Sequence, residues 1–148
     1  MGSTDNKTET TRRSKSAYES RDYLEHMADR GCAMAMYRLA KHIRCEDDEG
    51  FGMEMWWYDR FLHSKAVGRV FDEYYKNRVN NEALDHIIEA AASVGIYYSR
   101  SSDYDDMLMA WRCLAIVCSL MEDSNDMKKY FAKMLDDVYE RIHKDYYG

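Results

Sequence analysis

Five histidines, four cysteines and two acidic runs are the residues that could carry chemistry in this chain. A metal site on one helix takes two ligands at i, i+3 or i, i+4. His26, His42, His63, His86 and His143 contain no such His pair. Glu82 and Glu89 bracket His86, and Cys45 follows His42 at a ligand-compatible spacing. A solvated helix face explains His86 with its glutamates, His42 with Cys45 lacks a second pair, and no metal or other cofactor is expected. The runs Glu46-Asp47-Asp48-Glu49 and Asp103-Asp105-Asp106 offer oxygen ligands. Neither follows the D-x-[DN]-x-[DN]-G-x5-E calcium register, and Asp105 and Asp106 suit the first turn of a helix, where the dipole favours negative charge. Cys32, Cys45, Cys113 and Cys118 form no C-x-x-C pair, and no nucleophile signature or glycine-rich phosphate loop accompanies them. The expectation is a non-enzymatic protein with reduced thiols, in the cytoplasm.

The aromatic residues say more. Trp56, Trp57 and Tyr58 are consecutive. On a helix they fan over about 200°, too wide for one core stripe, so at least one ring faces outward. Tyr74-Tyr75, Tyr97-Tyr98 and Tyr146-Tyr147 repeat the theme, one ring of each pair inward and one displayed. Displayed Trp and Tyr are common anchors of protein interfaces. The candidate partner-binding residues are therefore Trp56, Trp57, Tyr58, Tyr75 and Tyr98, with Glu46, Asp47, Asp48, Glu49, Asp103, Asp105 and Asp106 as an acidic patch. Net charge is −6, which opposes nonspecific binding to nucleic acid, although such rings could otherwise stack on single strands.

These side chains must be held by helices. The chain has no proline, 11 methionines, few β-branched residues and no Asn-Gly or Asp-Gly hairpin signal. The predicted fold is all-α, six or seven helices in antiparallel hairpins, forming a short solenoid-like or irregular bundle. Residues 1–15 are polar and read as a disordered tail, followed by a single domain over 16–148. Ser16 and Glu19 form a capping box that opens a helix to about Asp29, with Gly31 as its left-handed end. A second helix spans about Ala33 to Ile43, with Ala33, Ala35 and Ala40 allowing close approach and Met36, Leu39 and Ile43 as its stripe. Residues 45–52 read as a loop. A third helix starts near Met53, with a break expected around Ala66-Val67-Gly68. Asn80-Asn81 caps a helix ending near Arg100, which carries Leu84, Ile87, Ile88 and Ala91 inward. Ser101 or Ser102 begins the next, with Met107, Trp111, Leu114, Ala115 and Cys118. Ser124 or Asn125 opens the last, whose Met127, Phe131, Met134, Leu135, Val138 and Ile142 keep helical spacing. No run of about 18 apolar residues occurs and the start is polar, so neither a membrane span nor a signal segment is read. Met1-Gly2 does not open a myristoylation site, because Asn6 stands where Ser or Thr belongs.

Trp111-x2-Leu114-Ala115-x2-Cys118, with Met127-x3-Phe131 after it, resembles the tetratricopeptide repeat pattern. Met36-x2-Leu39-Ala40-x2-Ile43 has the same shape about two periods earlier. Tyr23, Ala28, Gly31, Ala35, Leu39 and Ala40 resemble the junction between units in the Sel-like branch of that family. Ala40 and Ala115 depart from its usual glycine, and residues 53–100 fit poorly. The resemblance covers about half the chain and implies a scaffold that binds other proteins in a groove, without chemistry of its own.

The resulting expectation is an adaptor-like protein-interaction module using exposed aromatics and an acidic surface, with no direct nucleic-acid or membrane binding. The alternatives are a small acidic inhibitor or immunity-type protein that blocks a basic, nucleic-acid-handling partner, and a metal-dependent or other enzyme. The exposed rings could also close a homodimer.

Overall fold

Polar caps divide the chain into helices. In the structure, a computed structural model describing residues 20–46 and 51–147, the Ser20 hydroxyl accepts from the Tyr23 amide and starts α1 (Arg21–Asp29). Ser20 is extended, so a helix capped at Ser16 cannot run through it; Ser16, Glu19 and the expected tail lie outside the described residues. Gly31 ends α1 at φ +95°, with the Cys32 amide donating to Met27 O (3.1 Å) and the Gly31 amide to Ala28 O (2.9 Å). This paired-bond ending satisfies carbonyls that a helix end leaves open, and glycine takes its backbone angle without strain.

The second helix, α2 (Ala33–Glu46), runs three residues past its expected end, and α3 (Phe51–Leu62) begins two residues early. The expected loop therefore loses both flanks to helix, and residues 47–50 lie outside the described residues. Phe51 and Gly52 continue a helix that their sequence alone does not demand. Ser64 stops α3 and caps α4 (Lys65–Tyr75) by accepting from the Val67 amide. The break thus precedes Gly68, which sits inside α4: a serine with a free amide three residues on is a stronger stop than an exposed glycine. Asn77, at φ 62°, ends α4 with the same two-bond geometry, from the Arg78 amide to Glu73 O and from the Asn77 amide to Tyr74 O. Asparagine tolerates that left-handed angle better than most side chains.

Asn80 caps α5 (Asn81–Ser99), Asp103 caps α6 (Tyr104–Leu120), and the Asn125 side chain accepts from the Met127 amide at the start of α7 (Met127–Ile142). A π turn, His143–Tyr147, follows. The fold is all-α: seven helices and no strand among the described residues.

The described residues divide into two compact units, one up to Trp57 and one from Tyr58, with the boundary inside α3. A boundary inside a helix leaves no glycine, proline or polar linker for a sequence reading to find. In the first unit α1 packs on α2, and Leu24, Ala28, Ala35, Met36, Tyr37, Leu39, Ala40 and Ile43 are buried. In the second, α6 is central: it packs on α5 along one side and on α7 along the other. Met107, Ala110, Cys113, Leu114 and Val117 bury its stripe. The two stretches with the repeat-like pattern sit in unequal surroundings. Met36, Ala40 and Ile43 are buried, whereas Trp111 is exposed and Ala115 and Cys118 are half-buried. Met127, expected inward, is exposed at the first turn of α7.

A close approach in the second unit is at Gly95. A Cβ added there would lie 2.9 Å from both Cγ and Cδ2 of Leu114, whereas one added at Gly68 would meet nothing within 4 Å. Opposite outcomes follow. Gly95→Ala should destabilise, because overpacking costs ~1–3 kcal/mol and outweighs the helix-propensity gain. Gly68→Ala should stabilise by about 0.5–1 kcal/mol. Urea titrations of both variants check this. In the same experiment Ala40→Leu, at a fully buried position, should cost ~1–3 kcal/mol.

Candidate interaction surface

Trp111 follows Ala110, which is fully buried, and so turns out of the α5-facing stripe toward α7. Tyr139 stands in the same relation to Val138, which lies in the core. The two rings meet across the groove between α6 and α7 with centroids 6.5 Å apart and planes 33° apart. One turn on, the His143 ring lies 4.3 Å from that of Tyr139. Trp111 is 37% exposed and Tyr139 49%, so the rings form a connected band open to solvent. Buried neighbours on both helices fix the backbone beneath it. At the same end of α7, the Arg141 guanidinium donates to the Ser99 carbonyl at the end of α5. A cation there meets an open helix carbonyl and the negative end of the dipole.

The residues expected to bind a partner are distributed differently. Trp56 is exposed (45%) and rests edge-on against Trp57, at 4.6 Å and 80°. Trp57 (4%) and Tyr58 (0%) are buried, so these two leave the displayed set. Consecutive helical positions are about 100° apart, and burying two neighbours turns the third outward. Tyr75 is 81% exposed at the end of α4, edge-on to Tyr74. Tyr98 is half-buried on α5, edge-on to the exposed Tyr97. Burial, then the nearby Asp106 carboxylate, push the Tyr98 phenol above its ordinary value.

The acidic cluster on α6 serves the helix itself. Asp103 accepts from the Asp106 amide at 3.2 Å, Asp106 accepts from the Ser101 hydroxyl at 2.8 Å, and that hydroxyl accepts from the Asp103 amide at 3.1 Å. Asp103 and Asp105 are exposed and Asp106 is half-buried. Of the other run, Glu46 closes α2, and Asp47, Asp48 and Glu49 lie outside the described residues.

Trp111 and Tyr139 are the surface residues that sequence reasoning missed. Trp111 matches the inward position of a repeat pattern, and Tyr139 stands between an apolar stripe and a charged face. The available signal was angular: each follows a core residue by one position, a rotation of about 100°.

Two of the thiols, Cys113 and Cys118, are poorly placed to act as nucleophiles. Burial pushes the Cys113 thiol up to about 12, with Asp59 adding to the effect and Arg112 opposing it. Cys118 is also raised, chiefly by burial. A thiol held protonated near neutral pH is a weak nucleophile. Among the described residues, no group of three or more His, Cys, Asp or Glu side chains could hold a metal ion, and no helix is long and apolar enough to cross a membrane.

The raised thiol gives stability a pH dependence of definite sign. Unfolding releases Cys113 to ionise near the ordinary thiol value of 9.0, while burial pushes the folded thiol up to about 12. Its contribution is complete below the lower value and is lost as pH rises through this window. Tyr98, also raised, acts in the same direction. Urea midpoints should fall from pH 9 upward, and less steeply in Cys113→Ala; equal slopes would contradict the assignment. No protein family, curated protein or solved structure matches the chain.

Proposed function

We propose that the chain is a non-enzymatic protein-binding module that docks a partner on the Trp111–Tyr139–His143 band. The connected rings across two packed helices carry this reading. Trp and Tyr give large contact area at small entropic cost, and rings fixed on neighbouring helices need little reorganisation on binding. The C-terminal half of α7 adds Asp136, Asp137 and Glu140, all exposed. They favour a partner segment that offers an apolar side chain flanked by basic residues. Trp56, displayed on α3 in the first unit, is a separate candidate anchor. Cytoplasmic residence is part of the proposal, since Cys32, Cys113 and Cys118 are free thiols, and free thiols persist in reducing surroundings.

The net charge of −6 favours a second reading, an acidic inhibitor of a basic, nucleic-acid-handling partner. Salt separates the two. Charge mimicry weakens steeply as ionic strength rises, whereas an aromatic anchor does not. Partners captured from the native host with wild-type chain should be lost with Trp111→Ala or Tyr139→Ala, each costing about 2 kcal/mol of binding. Capture unchanged in both variants, together with release by moderate salt, would reject the aromatic surface in favour of the inhibitor.

A further inference from the structure

The outer face of α7 carries a charge order that its own helix does not favour. Lys128, Lys129 and Lys133 occupy the N-terminal half, and Asp136, Asp137 and Glu140 the C-terminal half. The helix dipole favours the reverse, and a lysine preceding its acid by one turn is the weaker orientation for an ion pair. Lys128 is paired locally, with Asp123 at 2.6 Å. Lys129, Lys133, Asp136 and Glu140 are exposed, and none takes part in an ion pair among the described residues. All four fall within about 60° of arc opposite Phe131, Val138 and Ile142, the residues that bury α7.

This row complements itself when reversed. A two-fold axis between Met134 and Leu135 brings an antiparallel second helix into register. Lys129 then stands opposite Glu140 of the second copy, and Lys133 opposite its Asp136. The same operation repeats both pairs, as an isologous contact requires. Tyr130 and Tyr139, both about half exposed, flank the row on its two sides and supply apolar area at its edges. We infer that the outer face of α7 is a self-association surface whose occupant is a second copy of this chain, antiparallel across a two-fold axis. The contact is one helix wide and charge-led. It is weak and salt-sensitive by construction, since exposed ion pairs each contribute little and are screened.

The inference shares Tyr139, Asp136 and Glu140 with the partner-binding reading but rests on the charge order of α7, and the Trp111 variant keeps the two apart. Sedimentation velocity of the wild-type chain across a concentration series should show a monomer–dimer equilibrium at low salt. That equilibrium should weaken at least about tenfold between roughly 0.05 and 0.5 M salt as the screening length contracts. The double variants Lys129→Glu/Lys133→Glu and Asp136→Lys/Glu140→Lys should each be monomeric alone and form a heterodimer when mixed. All four positions are exposed, a glutamate at position 129 and a lysine at position 140 suit the dipole at their ends of the helix, and circular dichroism checks that each variant folds. Trp111→Ala should leave self-association unchanged. A wild-type chain that stays monomeric at low salt up to its solubility would overturn the inference. So would a dimer indifferent to salt, or one that either double variant retains alone.

Discussion

The contact between Gly95 on α5 and Leu114 on α6 sets how closely the second unit can pack. The Leu114 side chain lies 2.9 Å from where a Cβ on residue 95 would be, so the backbone of α5 meets a side chain of α6 at close range. Ala90, Ala91 and Val94 on α5 and Ala110 on α6 extend the same stripe, all fully buried. Small residues on both sides make the seam thin, and the apolar area it removes from water is correspondingly well packed. Because α6 packs α7 on its other side, the position of α7 depends on this seam. The Arg141 bond to the Ser99 carbonyl ties the far end of α7 back to α5 and closes the circuit among the three helices.

What the surface can do follows from that arrangement. Trp111 and Tyr139 are displayed because Ala110 and Val138, one position earlier on each helix, are committed to the core. The band therefore belongs to the packing as much as any buried residue does. The carboxylates that look most available in the sequence are partly consumed before any partner arrives: Asp103 and Asp106 complete the start of α6 through Ser101. The thiol best shielded by the seam, Cys113, is kept protonated by that shielding. Display and reactivity are thus set by the same burial.

Helix type, number and approximate extent were legible because they rest on local physics. The Asn80 cap, the left-handed Gly31 and the stripes at Leu39 and Val138 are each readable within a few residues. Ser64 was readable too, as a cap three residues before a helical amide, but the nearby Gly68 drew the expected break instead. The division inside α3 was not legible, since a continuous helix carries no mark of it. Nor was the Trp111–Tyr139 pairing. It depends on which faces of α6 and α7 meet, and that is set by long-range packing at Gly95 and Leu114. Of the Trp56-Trp57-Tyr58 run, the sequence limited how many rings could be buried together without selecting Trp56 as the displayed one.

Native-state hydrogen exchange is the most direct check on the primacy of the α5–α6 seam. Amides that open only with the whole unit are the slowest, and weakly packed elements open earlier. The account predicts that Val94 on α5 and Leu114 on α6 exchange through the global opening of the second unit. Val70 on α4, a helix with Val67 alone fully buried, should exchange through a smaller, local opening. Exchange at Val94 and Leu114 as fast as at Val70 would contradict it.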